Sequence, residues 1–333
     1  MTVIAPPMPS PLPRRGLLGF LGAILAGMTA GGFAWVAYNY GVNSILVMGF
    51  ILLVPVPLFV AGLGIGRSDA IVATLVAIAA TIFYIGVENT YLLLIIFLCP
   101  VLLLCLLATR HRYDSKGNLF WYPTGRLLTF LVLYPVSVYA LISLLVGAEG
   151  IEGVIRNGIS SMFDVTFKDS STAAAYPPEM KQLMINNFTA LLPAALITGW
   201  VFVIAITGLW SQIALTSNKT ALRPMPGITD IDLPMSLLVL LAIMGLLAMF
   251  YSGHVAYFAR SVLLPLSLPY LVVGIGLMHL WARRRKHKAA WLVAFYILLF
   301  FQWPGVLVAA AGVLEPWLHL RARIVGQKVA VKS

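Results

Sequence analysis

The chain has 333 residues, of which 61% are hydrophobic and only 10% charged, with a mean hydropathy of +0.96. So little charge cannot cover the surface of a soluble domain, and composition excludes the ordinary globular class. The net charge of +11, from 22 Lys and Arg against 11 Asp and Glu, would suggest nucleic acid in a soluble protein. Here the basic residues gather at the ends of apolar runs, where the positive-inside bias puts them, so the expected partner is the lipid bilayer and not nucleic acid.

The first 15 residues, MTVIAPPMPSPLPRR, form a Pro-rich tail read as disordered. Arg14 and Arg15 then precede an apolar run with no small-x-small cleavage site after it, which predicts a retained first helix. Apolar runs predict spans over Leu17–Tyr38, Ile45–Gly66, Ala70–Gly86, Tyr91–Thr109 and Leu127–Gly147. Further runs follow at Asn187–Trp210, Met235–Tyr251, Val262–Trp281 and Ala289–Leu314. Each approaches the ~20 residues that cross roughly 30 Å of hydrocarbon. No barrel-like alternation appears, and lipid-exposed backbone must be satisfied internally, so the spans are read as helices. The expected fold class is all-α, a polytopic transmembrane bundle of about eight to ten helices. Residues 16–320 are read as a single multi-spanning membrane domain, with residues 148–185 as an extracytoplasmic loop and residues 321–333 as a basic tail.

With the N-terminus in the cytoplasm, inside segments carry Arg67, Arg110, Arg112, Lys116, Arg126, Lys219, Arg223 and the Arg283–Lys288 cluster. Nine crossings would place the tail, with Arg321, Arg323, Lys328 and Lys332, on the opposite side. A hairpin at Gln302, Pro304 and Gly305 in the last run would return it. The 148–185 loop holds Glu149, Glu152, Asp164, Asp169 and Glu179. It is too short for a folded domain and suits a short interfacial helix around Ile151–Phe163. Cys99 and Cys105 lie on one helix and point about 120° apart, which excludes a disulfide between them.

Gly19, Ala23, Gly27 and Gly31 recur at every fourth position of the first helix, a spacing that lets a second backbone approach closely or lines a passage. Polar helix ends at Asn39, Asn43, Glu88 and Asn89 join them as candidate ligand-lining positions. Prolines interrupt many spans, and broken helices line sites in transporters. Ionisable residues inside the spans are scarce, His279 and Glu315 at helix ends being the nearest cases, which argues against ion-driven pumping by this chain alone. No catalytic motif, phosphate loop or metal-ligand spacing occurs, so no catalytic residue, metal or cofactor is expected. Arg283, Arg284, Arg285, Lys286 and Lys288 form the strongest charge cluster, a topology anchor that also suits anionic lipid or a partner protein.

The stretch LPLSLPYLVVGIGLMHLWARRRKHKAAWLVAFYILLFFQWPGVLVAAAGVLEPWLHLRAR joins a helix, a basic turn and a second apolar run containing proline. It closes on Gly312, Glu315, Trp317 and Arg321. This stretch resembles the C-terminal signature of the YybS-like bacterial membrane proteins, a family of unknown function (DUF2232), with Glu315 where the pattern has Asp. The family is thought to be distantly similar to the substrate-binding membrane subunits of energy-coupling-factor transporters. That similarity implies a bacterial inner-membrane protein, non-enzymatic, binding a small molecule in the bundle and relying on a separate ATPase and coupling module. The rival expectation is a scaffold or assembly protein of the cell envelope, acting through its basic cluster and loops.

Overall fold

A computed structural model describes residues 16–40, 45–146, 150–167 and 177–325. The expectations for the first 15 residues, Asn43, Glu149, Asp169, Lys328 and Lys332 lie outside the described residues. The chain is helical almost throughout, and this follows from the bilayer's demand that every backbone group be paired within its own segment. Among the described residues six helices are long and apolar enough to cross a membrane, and two shorter apolar helices, Gly49–Ile65 and Met235–Phe250, accompany them. A further pair, Lys288–Phe300 and Trp303–Leu318, is bent by 111° and passes the same test only when taken together.

Within the single membrane domain read from the sequence, backbone contacts separate two compact units. The first holds residues up to Tyr122 together with Ile204–Met225. It contains α1 (Leu17–Tyr40), α2 (Ile45–Leu53), α3 (Pro55–Val60), α4 (Arg67–Ile85), α5 (Val87–Leu93) and α6 (Cys99–Ala108). Helices α5 and α6 make one span through a widened turn at Leu94–Leu98, where Cys99 N–H reaches the Leu94 carbonyl. Pro100 supplies no N–H, and such a π-type turn accommodates the missing bond. A second widened turn, Ala61–Ile65, closes α3.

This unit also carries a two-stranded hairpin, β1 (His111–Tyr113) against β2 (Leu119–Trp121), antiparallel with Arg112 opposite Phe120. Strands this short leave no periodic signal, and the sequence reading has only a basic connector here. The Asp114 carboxylate fastens the turn, accepting bonds from the backbone N–H of Lys116 and Asn118 at 2.8 Å each. The Asn118 side-chain amide donates a third bond to it at 2.9 Å. Bonding from Asn118 first, then from Lys116, holds the carboxyl below its usual range. A depressed folded pKa means the contribution is complete above the unfolded value of about 3.9 and is lost as pH falls through the folded one. Amide exchange at Lys116 and Asn118, corrected for intrinsic rate, should therefore stay slow from neutral pH down to about pH 5 and quicken below about pH 4. Protection unchanged on full protonation would show that the carboxylate does not hold the turn.

The second unit holds Pro123–Val203 and the residues from Pro226 onward. It contains α7 (Thr124–Leu145), α8 (Gly150–Phe167), the first part of α9 (Pro178–Ser217), α10 (Met235–Phe250), α11 (Gly253–Ala282), α12 (Lys288–Phe300), α13 (Gln302–Leu318) and α14 (Leu320–Val325). Helix α11 is the axis of this unit and packs on α7, α8, α10, α12, α13 and α14. Pro265 and Pro269 sit in its buried face. Helix α8, in the segment read as an interfacial helix, is tied to the start of α9 by Lys181 Nζ to Asp164 at 2.6 Å.

The end of the chain settles the side of the tail relative to the basic turn. Helix α13 runs antiparallel to α11, with Val308 against Gly274 and Gly312 against Tyr270. His319 then adopts left-handed backbone at φ 47°, and α14 packs back along α11 until Arg284 donates to the Val325 carbonyl. Of the two readings of the last run, the hairpin matches: the run is a bent pair followed by a reversal, and the described start of the tail lies at the basic turn.

Candidate functional site

The glycines of α11 and α13 build the site. A Cβ on Gly274 would lie 2.0 Å from the Val308 carbonyl oxygen, and one on Gly312 would lie 2.0 Å from that of Tyr270. Only glycine at both positions lets the two backbones meet this closely. Beyond this contact α13 ends at His319, whose left-handed conformation is uncommon for a residue other than glycine. The reversal carries Arg321 back to the loop before α10. There its guanidinium donates to Asp232 at 2.7 Å and to the Ile231 carbonyl, and it lies 3.7 Å from Glu315. Its backbone N–H reaches both Glu315 oxygens at 3.3 Å.

Around this junction lies a cavity of about 300 Å³ whose walls include Asp232, Leu238, Tyr270, Val273, Gly312, Glu315, His319 and Arg321. It is at the small end of ligand-site volumes and has the expected make-up, apolar walls with a few convergent polar groups. Tyr270 is 2% exposed, and its buried hydroxyl has no hydrogen-bond partner among the described residues. Asp232, by contrast, has a side chain 91% exposed, so its pair with Arg321 is worth at most about 1 kcal/mol to stability. The Arg321 pairs thus orient groups around the cavity more than they stabilise the fold. Two carboxylates, a guanidinium and an imidazole can bind a small polar molecule carrying charge of either sign.

The other candidate residues fall elsewhere. Gly19 faces Ile65, Gly27 faces the Ala73 carbonyl and Val76, and Gly31 faces Ala80, while Ala23 is fully buried. The stripe is therefore occupied by α4 and the turn preceding it, with no ligand-sized gap at those positions. Asn39 bonds its own helix at the Trp35 carbonyl, and Asn89 bonds the Ile85 carbonyl across the α4–α5 turn beside exposed Glu88. Arg283, Arg284, Arg285, Lys286 and Lys288 are all exposed at the α11–α12 turn, with Arg285 stacked 4.6 Å above Trp281. His279 bonds the Tyr296 hydroxyl at 2.8 Å.

The first unit buries Arg223, which the sequence reading counts among the inside basic residues, together with polar residues that the same reading passes over. Arg223, only 8% exposed, donates to the Ala108 carbonyl at 3.2 Å, and burial lowers its pKa from the ordinary arginine value. Gln212 donates to the Arg223 carbonyl at 2.7 Å, and Leu222 N–H reaches the Leu63 carbonyl at 3.0 Å. Asp69, in the first turn of α4, is buried too. A charge at a helix end normally signals the membrane surface, and nothing in the local sequence separates these buried charges from the exposed Arg67 two residues before Asp69.

The family whose description is predicted membrane protein (DUF2232) matches residues 36–314. The chain belongs to this family. The DUF2232 match covers the Gly274–Val308 and Gly312–Tyr270 contacts and stops one residue before Glu315. Glu315, His319 and Arg321 therefore lie outside the matched part of this DUF2232 member. No curated protein and no solved structure matches the chain.

Proposed function

We propose that this multi-pass membrane protein is the small-molecule-binding subunit of a transport system, with its site at the α10–α11–α13 cavity. The observation that carries the reading is the convergence of Glu315, His319, Arg321 and Asp232 on one cavity in a chain with only 10% charged residues. A few convergent polar groups in an otherwise apolar-walled cavity are the usual make-up of a small-molecule site. The sequence carries no phosphate loop, so energy would come from a separate ATPase with its coupling subunit. The bacterial inner membrane is the location the family resemblance implies, and the distribution of basic residues favours a cytoplasmic N-terminus.

Purification from the native membrane in mild detergent, followed by mass spectrometry of everything retained, tests the reading. A co-purifying small molecule, or an ATPase pair with a coupling protein, supports it. Envelope or division proteins alone, with no small molecule, would overturn it in favour of a scaffold acting through the basic turn and α8.

A further inference from the structure

We infer that the α11–α12 turn and the outer face of α12 form a binding site for an anionic phospholipid, distinct from the cavity at Arg321. Charge provides the first half of the case. Arg283, Arg284, Arg285, Lys286 and Lys288 are exposed, and none pairs with a carboxylate among the described residues. The Arg284 bond to the Val325 carbonyl brings α14, with Arg323, to the same place. Such a cluster of exposed cations is drawn to an anionic membrane surface by about 1 kcal/mol per residue.

The second half is apolar. Directly beyond this turn a groove of about 520 Å³ runs along α12, lined by Val293, Tyr296, Ile297, Phe300 and Phe301. Helix α12 meets α13 at a bend of 111°, and α13 runs antiparallel to α11, so α12 and its groove lie across the span direction, beside the basic turn. Between groove and charge stand Trp281 and Trp291, edge to face at 5.3 Å, with Arg285 over Trp281. Tryptophan takes the headgroup level of a bilayer, where its ring is half in hydrocarbon and half in water. Headgroup charge at the turn, tryptophans on α11 and α12, and the apolar groove of α12 thus adjoin one another. A free phosphate or an acidic protein segment would use the first of these and leave the groove empty.

The test uses the full-length protein in neutral detergent. Phosphatidylglycerol and phosphatidylcholine with the same acyl chains are offered at equal concentration and scored by native mass spectrometry. At least a fivefold preference for phosphatidylglycerol is expected, not competed by glycerol phosphate at the same concentration. In the wild-type protein, phosphatidylglycerol with a photoreactive acyl chain should cross-link within residues 291–301. A variant carrying Arg283→Gln, Lys286→Gln and Lys288→Gln should lose the preference. Equal retention of the two lipids, effective competition by glycerol phosphate, or cross-links outside α12 would overturn the inference. All three readings are made on the wild-type protein, so a poorly folding triple substitution does not protect the inference.

Discussion

Replacing Gly312 by alanine should unseat α13 from α11 and cost about 3 kcal/mol or more of stability. The new methyl would sit 2.0 Å from the Tyr270 carbonyl oxygen and 3.1 Å from the Gly274 backbone nitrogen. Both obstacles are backbone, so no rotamer change relieves the clash, and the helices must part. The Tyr270 carbonyl belongs to the helix on which the whole second unit packs. Parting the pair would also open the cavity wall that Gly312 and Tyr270 share. Gly305 on the same helix is the control, because its nearest neighbour to a new Cβ, Leu299, lies 4.0 Å away. Gly305→Ala should be neutral or gain up to about 1 kcal/mol from helix propensity. Unfolding midpoints in detergent compare the two, and Gly312→Ala as stable as Gly305→Ala would contradict the close approach.

Arg223→Met should destabilise the first unit by about 1–3 kcal/mol, the cost of leaving a buried polar group without its partner. Methionine fills much of the same volume, so the loss reports the guanidinium and not the packing. Among the groups it strands is the Ala108 carbonyl, at the C-terminal end of α6, where a cation also suits the helix dipole. Arg67 makes a similar bond to the Leu106 carbonyl at 3.1 Å but is exposed, and water can replace it. Arg67→Met should therefore cost clearly less, about 0.5 kcal/mol. If Arg67→Met proved the more damaging change, Arg223 would be a surface anchor after all.

Much of the helical layout is legible because bilayer thickness writes itself into run length. Leu17–Tyr40 and Met235–Phe250 nearly coincide with their apolar runs. Helix α9 does not: its apolar part suggests Asn187–Trp210, yet it extends from Pro178 to Ser217. The polar residues at its ends are adequate helix formers, and hydropathy does not register them. The turn at Phe301 falls beside the break read at Gln302, Pro304 and Gly305, whereas the left-handed His319 escapes the sequence, because a reversal between apolar segments carries no charge signal. For the site, the closing run of Gly312, Glu315 and Arg321 was visible as a pattern, but its meaning was not. Asp232, Tyr270 and His319 join it only through the antiparallel packing of α13 on α11 and the reversal after it. The glycine stripe of α1 was visible as well, and only its neighbours Ala73, Val76 and Ala80 show that α4 occupies it.

The most direct test of cavity binding compares the small-molecule content of purified wild-type protein with that of Arg321→Gln, both checked for equal unfolding midpoints. Gln keeps a hydrogen-bond donor but removes the charge facing Asp232 and Glu315, an interaction change of about 1.4 kcal/mol or more for a ligand using that charge. The expected result is one molecular species released from the wild type, with at least tenfold less in the variant. Equal content in the two proteins, or no bound molecule in either, would contradict binding at this cavity.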